Sequence, residues 1–374
     1  MTRLDDLTSR EDNEGRGAQL DDDHARVLLS AHKQRSNSLK DPRMNDVHVL
    51  DLLMSVAAAY GLGSSSLEQS MGTWGDHVRW RIVDATGNRY LLKERDPTLQ
   101  SHEFQLHLDL HQFLIRHGGP IVPIMSCING DLYTSWRGRQ FELQAWISGL
   151  RRLSVSNPGD LVAWGEVLAR FLVASSGFSS TSAESFDYPG SRATYCPQRR
   201  FEVMERISYI SLSSGDKDQR CMSKVERIAN WVRHYGDALE GAALPQQFIH
   251  SDCLYNNCLV DENGMLFIVD LDTASWGYRI TDIASALAFA GGIVVTDEDS
   301  VSGIIGETLN RSAMQRVFDG FSSTTMLTPI ERQLLHSLIG LRLVDQAIIC
   351  LNLDNPSIRP RVEVLPDALG PVQQ

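Results

Sequence analysis

Lysine is the scarce residue of this chain: 5 Lys stand against 30 Arg in 374 residues, and between Lys40 and Lys217 only Lys93 occurs. Bases are outnumbered by acids, 35 to 47, for a formal charge of −12. Neutralising phosphates takes a basic face, so this balance argues against a nucleic-acid binder. The six cysteines form no CxxC pair, and the opening MTRLDDLTSREDNEGRG holds no apolar targeting segment. Both features predict reduced thiols in a cytoplasmic protein. Long apolar runs are missing too: residues 283–295, the most apolar stretch, are interrupted by Ser285 and two glycines. That is shorter than the roughly 20 residues of a membrane span, so no membrane partner is expected. Residues 1–45 have no aromatic and 17 charged side chains, which predicts a mostly disordered tail.

From residue 46 the pattern becomes globular. Residues 47–60 have helical character, and Val78, Trp80 and Ile82 alternate with Arg79 and Arg81 before the turn residues DATGN and a second run at 90–94. That reads as a β-hairpin. Apolar positions 99, 106, 110, 113 and 114 have helical spacing, and Gly118, Gly119 and Pro120 stop the helix. A strand pair is predicted near 132–136 and 139–146, then helices at 161–175, 221–239 and 329–351. The order is an α+β one: a small sheet-rich lobe with one main helix over 46–143, a break at 144–150, and a larger, mostly helical lobe over 151–374.

The chemistry concentrates between residues 244 and 287. Apolar runs 258–260 and 265–269 flank the turn tetrad Asp261-Glu262-Asn263-Gly264. If 260 pairs with 265, Asn257 and Asp270 become diagonal neighbours on one face, about 7–8 Å apart at the backbone. Two oxygen donors at that separation can converge on a hard cation such as Mg²⁺, with Asp272 a rival on the same side of the strand. Asp252 delivers a further carboxylate from the preceding loop, placed to accept a proton from a hydroxyl. Lys93 ends a strand, and Glu103 lies on the apolar stripe of the following helix, so the two are expected to pair and to present an ammonium to the α- and β-phosphates of ATP. The segment from Gly72 to Gly75 could cover the nucleotide.

At these residues the chain resembles the aminoglycoside phosphotransferase and choline kinase-like family, small-molecule relatives of the protein kinases. His250, Asp252 and Asn257 match its H-x-D-x-x-x-x-N pattern, Asp270 and Ala274 its metal-binding segment, and Gly277, Asp282 and Ala284 the following G-x-x-x-x-D-x-A spacing. The likeness runs over roughly residues 65 to 350. It includes HGGPIVPIM, a hinge-like FELQAWISG, and a C-terminal LTPIERQLLHSLIGLRL similar to the homoserine kinase-like and hydroxylysine kinase-like branches. The resemblance implies a bilobal protein-kinase-like fold and transfer of the γ-phosphate of ATP, with Mg²⁺, to a small-molecule alcohol. Ala145 and Ile147 would then meet the nucleotide through backbone groups, His250 would pack behind the catalytic loop, and Asp282 would brace it. Asp282 also reads as a helix N-cap beside Thr281. Ser251 stands where the family usually has Gly, Arg279 where Pro is common, and the nucleotide loop has Trp74 without a clear Gly-Gly-x-x-N.

Cys253 and Cys258 could suggest a metal pair, but no His or second cysteine pair completes a zinc site. Only a dozen residues separate Asp270 from Asp282, too few for an activation-loop insert, so a protein substrate is not expected. Residues 246–374 hold 16 acids and 7 bases, which reads either as a solubilising face or as a pocket selecting a cationic acceptor, an amino-alcohol metabolite or an amine-bearing antibiotic. The non-catalytic alternative is a pseudokinase-like nucleotide-binding regulatory module. Joint retention of Lys93, Asp252, Asn257 and Asp270 favours the enzyme.

Overall fold

The structure, a computed structural model, describes residues 46–74, 77–95, 101–179, 242–297, 300–305 and 309–352. The expected tail at 1–45 and helix at 221–239 lie outside the described residues. The chain forms two compact units, one containing Arg95 and the residues before it together with Ser126–Leu143, the other Asp96–Met125 with Gln144 onward.

In the first unit, α1 (Asp46–Tyr60) precedes β1 (Ser65–Trp74), β2 (His77–Asp84) and β3 (Arg89–Glu94), and the unit closes with β4 (Thr134–Trp136) and β5 (Arg139–Ala145). The sheet order is β1-β2-β3-β5-β4. The alternation in β2 does what period-two patterning requires: Trp80 and Ile82 are buried while Arg79 and Arg81 are partly exposed. The hairpin turn closes on Asp84, whose carboxylate accepts from Thr86 N at 2.8 Å and Asn88 N at 2.9 Å, with Gly87 at φ 90. Leu52, Leu53 and Val56 of α1 are buried, and the Tyr60 hydroxyl donates to the carbonyls of Leu132 and Phe141, both at 3.4 Å. Glu94 is bonded to Arg139, and Arg95 pairs with Glu142 at 2.6 Å, both of that pair's side chains being buried.

The second unit begins with α2 (Ser101–Arg116). Its buried side chains pack within this unit. Leu106, Leu110 and Leu114 join one core with Trp164, Leu168 and Phe171 of α3 (Pro158–Ser175). His107 Nε2 also lies 3.0 Å from Ala274 O. Beyond β6 (Arg151–Arg152), α3 starts at an Asn157 cap that accepts from Gly159 N at 2.9 Å, with Pro158 in the first turn. Two small sheets carry the rest of the centre: β7 (Gln246–Ile249) against β10 (Ser275–Tyr278), and β6 beside β8 (Cys258–Val260) and β9 (Leu266–Ile268).

Helix α4 (Ile280–Gly292) leads to the hairpin of β11 (Ile293–Asp297) and β12 (Ser300–Ile305), then α5 (Arg311–Ser322) and α6 (Pro329–Asn352). Helices α3 and α5 cross where Gly165 faces the backbone of Val317 and Gly320 that of Val162, an approach with no room for a Cβ on either side. The TPIE stretch forms a reciprocal capping box: Thr328 N donates to Glu331 Oε2 at 2.7 Å, and Glu331 N to Thr328 Oγ1 at 3.3 Å. Among the described residues no helix is long and apolar enough to cross a membrane.

Candidate active site

The loop after β7 carries His250, Ser251 and Asp252, and a single 3-10 turn, Tyr255–Asn257, leads into β8. Asn257 Nδ2 donates to Asp252 O at 2.9 Å and to Asp252 Oδ2 at 3.2 Å. The structure therefore brings these two sequence-predicted residues together. With its amide nitrogen directed at Asp252, Asn257 uses its donor side on the loop, and its carbonyl oxygen can act only as an acceptor. The loop is clamped from α3, where Trp164 Nε1 donates to Cys253 O at 2.9 Å.

The β8–β9 register differs from the expected one. Val260 pairs with Leu266 and Cys258 with Ile268, not 260 with 265. The turn explains the shift: the Asp261 side chain accepts from Asn263 N at 2.9 Å and Met265 N at 2.7 Å, Gly264 takes φ 79, and Asp261 N donates to Met265 O at 3.0 Å, so the loop closes over the three residues 262–264. Asn257 accordingly lies opposite Val269, whose amide donates to Asn257 O at 3.0 Å. Asp270 is not a strand residue; it turns into the left-handed region at φ 69. Nor does Asp272 share a strand face with it, because the strand ends at Ile268 and Asp272 sits in the 3-10 turn Leu271–Thr273.

Asp282 is 2% exposed, and its two oxygens accept from His250 N at 2.7 Å and Ser251 N at 2.9 Å. Since α4 starts at Ile280, Asp282 lies inside the first turn and does not cap it; its carboxylate holds the loop. Burial pushes this carboxyl up to about 6, against the opposing pull of His250 and the two amides. His250 is buried, stands edge-on to Phe171 and has Nε2 3.0 Å from Val269 O. Asp252 N lies 3.3 Å from its Nδ1. Cys253 and Cys258 are both buried, with sulfurs 3.7 Å apart, and burial drives the Cys253 thiol well above its ordinary value.

Of the residues expected around the nucleotide, Lys93 lies near the end of β3 and is buried. Gly72 falls in β1 where the ladder with β2 shifts register between Ser70 and Thr73. Gly75 and the side chain of Glu103 lie outside the described residues. Ala145 ends β5 and its amide donates to Pro123 O at 3.2 Å; Ile147 follows in irregular chain. Sequence reasoning missed three groups that hold the site. Thr273 Oγ1 donates to His250 O at 3.0 Å, the hydroxyls of Ser251 and Ser275 meet at 2.8 Å, and Trp164 clamps Cys253. Hydroxyls at 273 and 275 beside the D-x-x-x-A segment were the available signal.

A mixed α+β architecture with this loop, hairpin and brace is that of the protein-kinase-like small-molecule phosphotransferases. Residues 72–303 match the model of the phosphotransferase enzyme family, and the chain belongs to that family. Among solved structures it is similar to an aminoglycoside phosphotransferase from Alicyclobacillus acidocaldarius, with TM-score 0.59, 13% identity, and 89% of this chain and 96% of that one covered. It is also similar to an amicoumacin kinase in complex with AMP-PNP, Ca²⁺ and Ami, with TM-score 0.60, 13% identity, and 89% and 97% covered. A third likeness is to a Plasmodium vivax ethanolamine kinase, with TM-score 0.53, 11% identity, and 92% and 94% covered. At such identities these likenesses speak for the fold. No curated protein matches the chain in sequence.

Proposed function

We propose that this small-molecule phosphotransferase moves the γ-phosphate of ATP to a hydroxyl of an amine-bearing small molecule with Mg²⁺ as cofactor. The observation that carries the reading is the Asn257 amide shared between Asp252 O and Asp252 Oδ2. It steers the carboxylate and supports a reading in which the Asn257 oxygen would be a metal ligand. Asp252 would take the acceptor hydroxyl proton, the freed oxygen would bond to the γ-phosphorus, and the bond to the β-phosphate oxygen would break to release ADP.

Asn257 and Asp270 would hold the metal. The described residues contain no group of three His, Cys, Asp or Glu placed for a metal, and an amide-plus-carboxylate pair suits a hard cation that keeps phosphate and water ligands. Bound there, Mg²⁺ would neutralise charge on the phosphate oxygens. Lys93 would grip the α- and β-phosphates, the Gly72–Gly75 stretch would cover them, and residues 144–150, with the backbone of Ala145 and Ile147, would serve as hinge. The surplus of acids over bases in 246–374 supports a cationic acceptor such as an amino alcohol.

Thermal-shift titration with ATP and Mg²⁺, followed by ADP release over a panel of amino alcohols and aminoglycosides, tests the reading. Nucleotide should raise the melting temperature, and Asp252→Ala should lower turnover roughly 10²–10⁴-fold while leaving that shift in place. Wild-type turnover in the variant would refute the base assignment. No shift with nucleotide would favour the regulatory module.

A further inference from the structure

Ser251 occupies a backbone position that resists side chains. Its φ is 64, in the left-handed region where a Cβ crowds the following carbonyl. Glycine would sit there without cost, so the serine persists because its surroundings over-determine it. Those surroundings are specific. The Ser251 amide goes to Asp282 at 2.9 Å and its hydroxyl meets the Ser275 hydroxyl at 2.8 Å, with Ser275 itself 1% exposed.

Ser275 is also the residue paired with Ile249 where β7 and β10 run antiparallel. Past Ile249 the backbone ladder stops and side chains take over. Asp282 receives the amides of 250 and 251, Thr273 Oγ1 donates to the carbonyl of 250, and the hydroxyls of 251 and 275 share a hydrogen bond. Two of these three fasteners come from the segment that follows Asp270, and all act on the two residues that precede Asp252.

We propose that the Ser251–Ser275 hydroxyl pair is a positioning latch, tying the loop that carries Asp252 to the strand that follows Asp270 so that the two carboxylates keep a fixed relation. Both serines are positioning residues and need touch no substrate. The proposal rests on the assignment of Asp252 and Asp270 above, but the latch itself can be measured without it.

The test uses the full chain with Ser251→Gly, Ser275→Ala, the double variant, and Ser156→Ala as control, since the Ser154–Ser156 hydroxyl pair is an exposed one at 2.7 Å. Ser251→Gly removes the hydroxyl while relaxing the backbone, so the fold should survive it. Amide hydrogen exchange over residues 250–254 should quicken several-fold to about tenfold in each single variant. The double variant should be no faster than either single one, because both break one bond. ATP turnover with Mg²⁺ should fall by a similar factor while the KM for ATP stays within about twofold. Unchanged exchange in both single variants, or additive effects in the double, would overturn the latch. Quickened exchange in a protein that shows no ATP turnover even as wild type would leave the latch standing and refute the functional reading instead.

Discussion

Asp282→Asn offers a sharp measurement of how this chain holds the loop that carries Asp252. Two forces act on the Asp282 carboxyl in opposite directions. Removal from water and the nearby Asp252 charge favour the neutral acid; His250 and the amides of His250 and Ser251, at 2.7 and 2.9 Å, favour the carboxylate. Burial wins, and the group titrates at about 6. Against an unfolded value of about 3.9 that is a rise of roughly two units, or about 3 kcal/mol. The folded state holds this proton more tightly than the unfolded state. The associated stability is therefore complete below about pH 4 and is lost as the pH climbs through about 6. Asparagine does not titrate. The stability gap between wild type and Asp282→Asn should shrink by about 3 kcal/mol from pH 4 to pH 7.5, read as urea unfolding free energies at a series of pH values. Asp160 and Glu331 are both held below the usual carboxylate range; their losses at low pH are common to the two proteins and cancel in the difference. A gap that stays flat, or widens as the pH rises, would show that the amides dominate burial and would refute the reasoning.

Two further substitutions probe the second unit. In most helix interiors Gly→Ala stabilises by about 0.5–1 kcal/mol, but a Cβ at 165 would overlap Val317 O and stand 2.7 Å from Phe321 N, so Gly165→Ala should instead cost about 1–3 kcal/mol or more in urea unfolding; a gain would mean that α3 and α5 do not meet as described. Glu331 is fully buried, bonds Arg279 Nε and Nη2 at 2.7 Å each and receives Thr328 N, so Glu331→Ala should cost about 3–5 kcal/mol by leaving a partly buried guanidinium without its counter-charge and an amide unpaired; a loss below about 1 kcal/mol in calorimetry would show that water replaces these three bonds.

What could be read from the sequence depended on whether local chemistry decided the outcome. The β2–β3 hairpin was legible because Trp80 and Ile82 alternate with Arg79 and Arg81, and DATGN supplies its own turn bonds. Helix α6 was legible from Pro329 and its apolar spacing. The β8–β9 pair was legible as a hairpin but not in register, since the choice between a four-residue and a three-residue loop rests on Gly264 taking a left-handed φ of 79 and on Asp261 capping two amides. One residue of slip exchanges the faces of a strand, and with it went the expected diagonal of Asn257 and Asp270. The β7–β10 pairing was not legible at all: its strands lie 25 residues apart between their facing ends, Ile249 and Ser275 being partners only because the fold closes there. The packing of α2 was not legible for the same reason, because its partner Trp164 is distant in sequence.

The site also shows how like residues acquire unlike roles. Asp252 and Asp282 stand 30 positions apart in one segment, and spacing alone could exchange their duties. Their surroundings separate them. Asp282 is almost fully buried with both oxygens engaged by backbone amides, so no substrate can reach it and its part is to fix the loop. Asp252 is only partly buried, and its Oδ2 is met by an Asn257 amide that steers the carboxylate without enclosing it. Asp270 gains its distinction from backbone conformation, since its left-handed φ of 69 turns the chain out of the β9 direction immediately before the 3-10 turn. Three aspartates are thus set apart by burial, hydrogen bonding and backbone geometry: Asp282 braces the loop, while Asp252 and Asp270 are left in the surroundings that the proposed proton-acceptor and metal-holding roles require, and the hydroxyls of Ser251, Thr273 and Ser275 join the backbones on which they stand.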